Sequence, residues 1–149
     1  GEENPKMKTL KQRLGADPRT PLPVGPDDSV FNALELMAKH DIGALLVMRD
    51  NQLVGIFSER DYARKVILLG KSSKEMAVRE IMTEKVLYAL PEQTVDQAMA
   101  LMTDKHFRHL PVLDSGKKVV GMVSIRDLLR ETISEQQFLI QQLEQYITS

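Results

Sequence analysis

The residues best equipped for chemistry stand in two short clusters of one pattern. Ser58, Arg60 and Asp61 form the first, and Ser124, Arg126 and Asp127 the second, each spaced Ser-x-Arg-Asp. Each follows a short run of strand-forming residues and precedes a helical pattern, so each sits where a strand turns into a helix. One reading is structural: the serine hydroxyl caps the helix and the acid complements its positive end. The other is recognition. Free amides and an arginine at such a junction suit an anion, and a carboxylate beside them can accept hydrogen bonds from a ribose diol. Hydroxyl, guanidinium and carboxylate within four residues are the groups a nucleotide requires.

Composition removes several alternatives. The chain has 149 residues, 42% apolar and 28% charged, which is a globular balance. Twenty Lys and Arg against 21 Asp and Glu give a net charge of −1, which argues against a general nucleic-acid binder. The absence of cysteine excludes disulfides, thiol nucleophiles and Cys-ligated metals. The longest apolar run, Ile42 to Met48, falls far short of the roughly 18 residues that span a bilayer. The opening Gly-Glu-Glu-Asn-Pro carries no signal-peptide pattern, so the expected home is the cytoplasm, with no membrane and no nucleic-acid partner. His106 and His109 lack a third ligand at a familiar metal-site spacing. No phosphate-binding glycine loop and no nucleophile–base arrangement is present, so no enzyme is expected.

The elements that must position the two clusters are themselves duplicated. The stretch from Pro26 to Arg64 aligns with that from Pro91 to Arg130 at an offset of 65 residues, which becomes 66 after one insertion near Ser115-Gly116-Lys117. About a third of the positions match, among them Val30 with Val95, Met37 with Met102 and Gly55 with Gly121. Ser29 is placed to cap a helix carrying Val30, Ala33, Leu34 and Met37, which must stop near Asp41 to Gly43. Strands follow at Ala44 to Met48 and Leu53 to Phe57 around a polar turn, and a helix starts at Ser58. The second copy predicts a helix from about Thr94, strands at Leu110 to Leu113 and Val119 to Val123, and a helix from Ser124. Units of roughly 40 residues cannot bury such strands alone, so the copies should pack as one pseudo-symmetric body.

Other segments lie outside the copies. Residues 1–17 hold a short helix with Met7, Leu10 and Leu14 on one face, and a loop with Pro18, Pro21 and Pro23 follows. The first repeat spans 18–69; a connector and the second repeat span 70–130, with Ser72-x-x-Glu75 as a capping box. Residues 131–149 read as an amphipathic helix, with Ile133, Ile140 and Ile147 seven residues apart and Phe138, Leu139 and Leu143 between them. That face suits either the protein's own body or a second subunit.

The ordered set of motifs resembles a tandem of CBS domains, the module named after cystathionine β-synthase, standing alone. The resemblance rests on Val-Gly-Ile-Phe-Ser-Glu-Arg-Asp at Val54 to Asp61 and Val-Gly-Met-Val-Ser-Ile-Arg-Asp at Val120 to Asp127. Arg-His-Leu-Pro-Val at Arg108 to Val112 and Glu-Ile-Met-Thr at Glu80 to Thr83 reinforce it. It implies a mixed α/β (α+β) fold of two pseudo-twofold-related β-α-β-β-α units packed sheet to sheet. It also implies two clefts that take adenine nucleotides or adenosyl ligands, and association into a homodimer.

Carried over residue by residue, the resemblance puts a ribose on Ser58 and Asp61 in one cleft. Thr83, Val86, Leu87 and Phe107 then line the adenine end, and Arg108, His109 and Arg60 meet the phosphates. In the other cleft Ser124 and Asp127 take the ribose and Arg126 the phosphates, while Leu22, Ile42, Gly43 and Ala44 stand where Leu87, Phe107, Arg108 and His109 stand in the first. Pro18 replaces Thr83 there. The second cleft is therefore expected to lose phosphate ligands and gain room, staying empty or taking a bulkier dinucleotide. The expected ligand is AMP first, with NAD(H) or ATP as alternatives, and no catalytic cofactor. The expected function is sensing: ligand binding changes conformation and signals to a downstream protein that the sequence does not identify. The alternative is a structural module with empty clefts that acts through dimerisation.

Overall fold

The computed structural model describes residues 8–16 and 22–147. The chain runs through α1 (Leu10–Ala16), β1 (Pro23–Val24), α2 (Val30–His40), β2 (Ala44–Arg49) and β3 (Gln52–Ser58). A broken helix follows: α3 (Glu59–Asp61), a wide π turn (Tyr62–Val66) and α4 (Ile67–Leu69). The second copy supplies α5 (Val95–Lys105), β4 (His109–Leu113), β5 (Val119–Ser124) and α6 (Ile125–Ile147). The fold is the expected mixed α/β arrangement of two similar units.

Local chemistry sets the helix limits. The Ser29 hydroxyl accepts from the Asn32 amide at 3.0 Å to start α2. Thr94 and Gln97 exchange hydrogen bonds of 3.1 and 3.0 Å to start α5. Both helices end on a left-handed residue, Asp41 (φ 52°) and His106 (φ 61°), just before the apolar strand begins. The first sheet has the order β1-β2-β3, with β1 parallel and β3 antiparallel to β2. The second pairs β4 with β5, and a single parallel bridge from Ala89 to Val112 stands in for its missing first strand.

Each unit has its own core, and each core is completed from outside its repeat. Phe57, Leu45 and Val47 cluster with Met76, Val78 and Ile81 of the connector. Leu110, Val112 and Leu128 cluster with Leu10 of α1. Backbone bonds fix both additions: Val30 donates to Met76 at 2.9 Å, and Val95 donates to Lys8 at 2.9 Å. Leu14 presses on Gly121, where an added Cβ would meet its side chain at 2.6 Å. Met7, Pro18 and Pro21 lie outside the described residues.

Three expectations are adjusted. Ser72 and Glu75 do bond, at 2.9 Å, but they close an isolated turn rather than a helix. The helix expected from Ser58 is interrupted by the π turn, whereas its counterpart after Ser124 continues unbroken as α6. Residues 133–146 of α6 expose their side chains, including Phe138, Ile140 and Leu143, so the amphipathic face does not pack on the protein's own body.

Candidate functional site

Thr83 is the residue that turns the first junction into a cleft. It pairs with Ile56 on the outer edge of β3 through two backbone bonds of 2.8 and 3.0 Å. Gly55 permits this approach: a Cβ there would lie 2.7 Å from Met82 Sδ and 3.0 Å from the Thr83 carbonyl. The wall from Thr83 to Leu87 thus stands beside the Ser58–Asp61 junction, and the turn from His106 to His109 comes from the second unit. Between them is a cavity of about 380 Å³, within the range of small-ligand sites.

Asp61 is the best-connected group in it, with a side chain only 13% exposed. Its Oδ2 accepts from the Ser58 amide at 3.0 Å and from the Ser58 hydroxyl at 2.9 Å. Its Oδ1 accepts from the Thr83 hydroxyl at 3.1 Å and lies 3.3 Å from Lys65 Nζ. The Ser58 hydroxyl accepts in turn from the Asp61 amide at 3.1 Å. The helix cap is therefore real, and so is the second feature: the carboxylate holds two hydroxyls, one from the junction and one from the adjoining Thr83 wall. Hydroxyls rotate, so both bonds can be exchanged without moving backbone.

Ser58, Arg60, Asp61, Thr83, Val86, Leu87, Phe107, Arg108 and His109 all line this one cavity. The sequence reading missed Arg64, Lys65 and Lys85, which line it too. Lys65 was legible as a partner of Asp61 at i+4. The π turn that brings Arg64 and Lys65 to the cavity together has no obvious sequence signature. Lys65 also donates to the Ile81 carbonyl at 2.8 Å, tying the broken helix to the connector.

The second junction is built differently. The Ser124 hydroxyl accepts from the Asp127 amide at 3.1 Å, and Arg126 is exposed. Leu22 and Ile42 pack against the first core. Ala44 is 1% exposed, with its side chain in the interior, so it offers no surface to a ligand. Gly43 lines the Asp61 cavity. The His109 ring packs beside it, its Cε1 3.4 Å from where a Gly43 Cβ would stand. Burial pushes the His109 pKa below its usual value; the nearby Asp127 carboxylate opposes that and Arg108 adds to it. His109 thus stands between the two junctions. The counterpart of Thr83, Pro18, lies outside the described residues.

Comparison with known proteins agrees with this geometry. The CBS domain family model matches residues 17–67 and 78–134. The crystal structure of the CBS domain NE2398 is 52% identical, covering 85% of this chain and 99% of that one at a TM-score of 0.81. A putative signal-transduction protein with CBS domains from Burkholderia ambifaria is 50% identical, covering 87% and 96%, at 0.82. A CBS domain pair of protein MJ0100, solved with 5′-methylthioadenosine and S-adenosyl-L-methionine, is 27% identical, covering 87% and 98%, at 0.76. The mitochondrial CBS domain-containing protein CBSX3 of Arabidopsis thaliana is 44% identical over 126 residues, 81% of this chain. The match spans 61% of that plant protein's length. Among the described residues no helix is long and apolar enough to cross a membrane.

Proposed function

This chain belongs to the CBS domain family, a pair of regulatory modules, and from that premise we propose that it senses an adenine nucleotide in the Asp61 cleft. The observation that carries the proposal is the pair of hydroxyls on Asp61. Ser58 and Thr83 each give the carboxylate one O–H, at 2.9 and 3.1 Å, from the junction and from the wall beside it. A vicinal ribose diol presents the same two donors to the same two oxygens, and would displace them. The base then rests against Val86, Leu87 and Phe107, and the phosphate meets Arg60 and Arg108.

Such a ligand touches Ser58 to Lys65 of one unit and Phe107 to His109 of the other. Binding therefore favours whichever relative placement of the units closes on it, and that shift is the signal. The output passes to a second copy in a homodimer or to a downstream protein; the role is regulatory, with no catalytic step. A second reading, in which the module acts by association alone, draws on the exposed apolar residues Ile133, Ile140 and Leu143 of α6.

The test is calorimetric titration of AMP, ADP, ATP, NAD, NADH and S-adenosylmethionine into protein refolded free of ligand, with Asp61→Ala alongside. Micromolar binding that Asp61→Ala weakens by about 100-fold or more, near 2.8 kcal/mol, is the expected result. Silence across the panel from folded protein would exclude the nucleotide and leave the association reading.

A further inference from the structure

The cleft holds more positive charge than one phosphate requires. Arg60, Arg64, Lys65, Lys85 and Arg108 all line it, against two carboxylates, Glu59 and Asp61. Of the five, Lys65 is engaged by Asp61 and by the Ile81 carbonyl. The side chains of the other four make no ion pair or hydrogen bond among the described residues. In a chain whose net charge is −1, four unpartnered cations around one cavity are a local excess. They repel one another, and a multiply charged anion between them relieves that repulsion.

The excess does not come with the repeat. At the second junction the counterparts of Arg60, Arg64, Lys65, Lys85 and Arg108 are Arg126, Arg130, Glu131, Thr20 and Gly43. Only two of the five positions keep their charge. Arg64 and Lys85 are exposed, so their long side chains are free to follow an extended anion out of the cavity.

We propose that the Asp61 cleft selects nucleoside di- or triphosphates over the monophosphate, with Arg64 and Lys85 as the specificity-determining residues that hold the distal phosphates. This rests on the nucleotide reading of the same cleft. Arg60 and Arg108 serve the first phosphate in either case.

The experiment measures AMP, ADP and ATP affinities for the whole chain and for Arg64→Ala, Lys85→Ala and the double variant, at two salt concentrations. The expected result is ADP or ATP at least about tenfold tighter than AMP, with the preference steeper at low salt. In the double variant ADP and ATP lose more affinity than AMP does, so the preference falls within about threefold, a pattern that lost folding cannot produce. Arg64→Lys should keep most of the preference. If AMP binds as tightly as ADP and ATP, or if the double variant loses AMP equally, the selection proposal is overturned and the nucleotide reading stands. If no nucleotide binds, both fall.

Discussion

The two strand-to-helix junctions share a four-residue pattern and end in different surroundings. At the first, Lys65 follows Asp61 by one turn and bonds both the carboxylate and the connector carbonyl of Ile81. At the second, the same place holds Glu131, which meets Arg13 Nε at 2.7 Å and Lys8 Nζ at 2.8 Å. One junction opens onto a cationic cavity; the other anchors α1. Duplication supplied a common frame of helix, hairpin and cap. The neighbours that each frame acquired from outside its repeat decide what it does.

The largest effect should come from removing such a neighbour. Leu10 is fully buried in the second core although it lies far outside that repeat in sequence. Leu10→Ala is expected to cost about 2–5 kcal/mol in urea unfolding, as a core leucine does, while the Asp61 cleft keeps its ligand. A loss below about 1 kcal/mol would mean that α1 is an accessory and the contrast between the junctions is overdrawn.

The matched glycines sharpen the contrast with one substitution made twice. At Gly55 the new Cβ meets Met82 Sδ and the Thr83 carbonyl, so Gly55→Ala should push the cleft wall off β3 and weaken nucleotide binding about tenfold or more. At Gly121 the three nearest atoms all belong to the Leu14 side chain. Gly121→Ala should therefore cost about 1–3 kcal/mol of stability through overpacking and leave affinity within about threefold. Equal effects on binding would show that both junctions contribute to one site.

Next in size is the anchor itself. Arg13 and Glu131 are mostly buried, with side chains 16% and 18% exposed. Glu131→Gln keeps the shape and removes the charge, and is expected to lower stability by about 1–2 kcal/mol without touching nucleotide affinity. The Lys8 pKa, raised by its hydrogen bond to Glu131, should fall back in the same variant, which NMR titration of the ammonium can follow.

How much of this was legible follows from the range of the forces involved. Caps, turns and strand alternation act within a few residues, so Ser29, Thr94 and the two hairpins could be read directly, and internal repetition doubled the signal. Ser58 and Asp61 were found the same way. Arg64 and Lys85 were not, because the π turn and the edge pairing of Thr83 on Ile56 bring them to the cavity, and both depend on tertiary packing. Ala44 shows what an offset leaves open. It pairs with Ser58 as His109 pairs with Ser124, so the strand register is shared, but a methyl group that is 1% exposed cannot make an imidazole's contacts.

The smallest predicted effect tests whether His109 stands between the junctions. Its pKa is lowered, chiefly by burial, with Asp127 opposing and Arg108 adding to the shift. The unfolded chain, with an ordinary histidine pKa near 6.5, therefore binds a proton at a higher pH than the folded one. Stability from this group is fully present above about pH 6.5 and is lost as pH falls through the lower folded value. His109→Gln should flatten the stability curve between about pH 7 and 5 by less than about 1 kcal/mol. The second variant, Asp127→Asn, removes the opposing charge and should lower the His109 pKa further, read from its ring protons by NMR. A phosphate-bearing ligand in the Asp61 cleft should raise it, so that the complex takes up a proton on forming in mildly acid solution. If Asp127→Asn left the His109 titration unmoved, the ring would belong to the first cleft alone, and the second junction would have no electrostatic reach into the site.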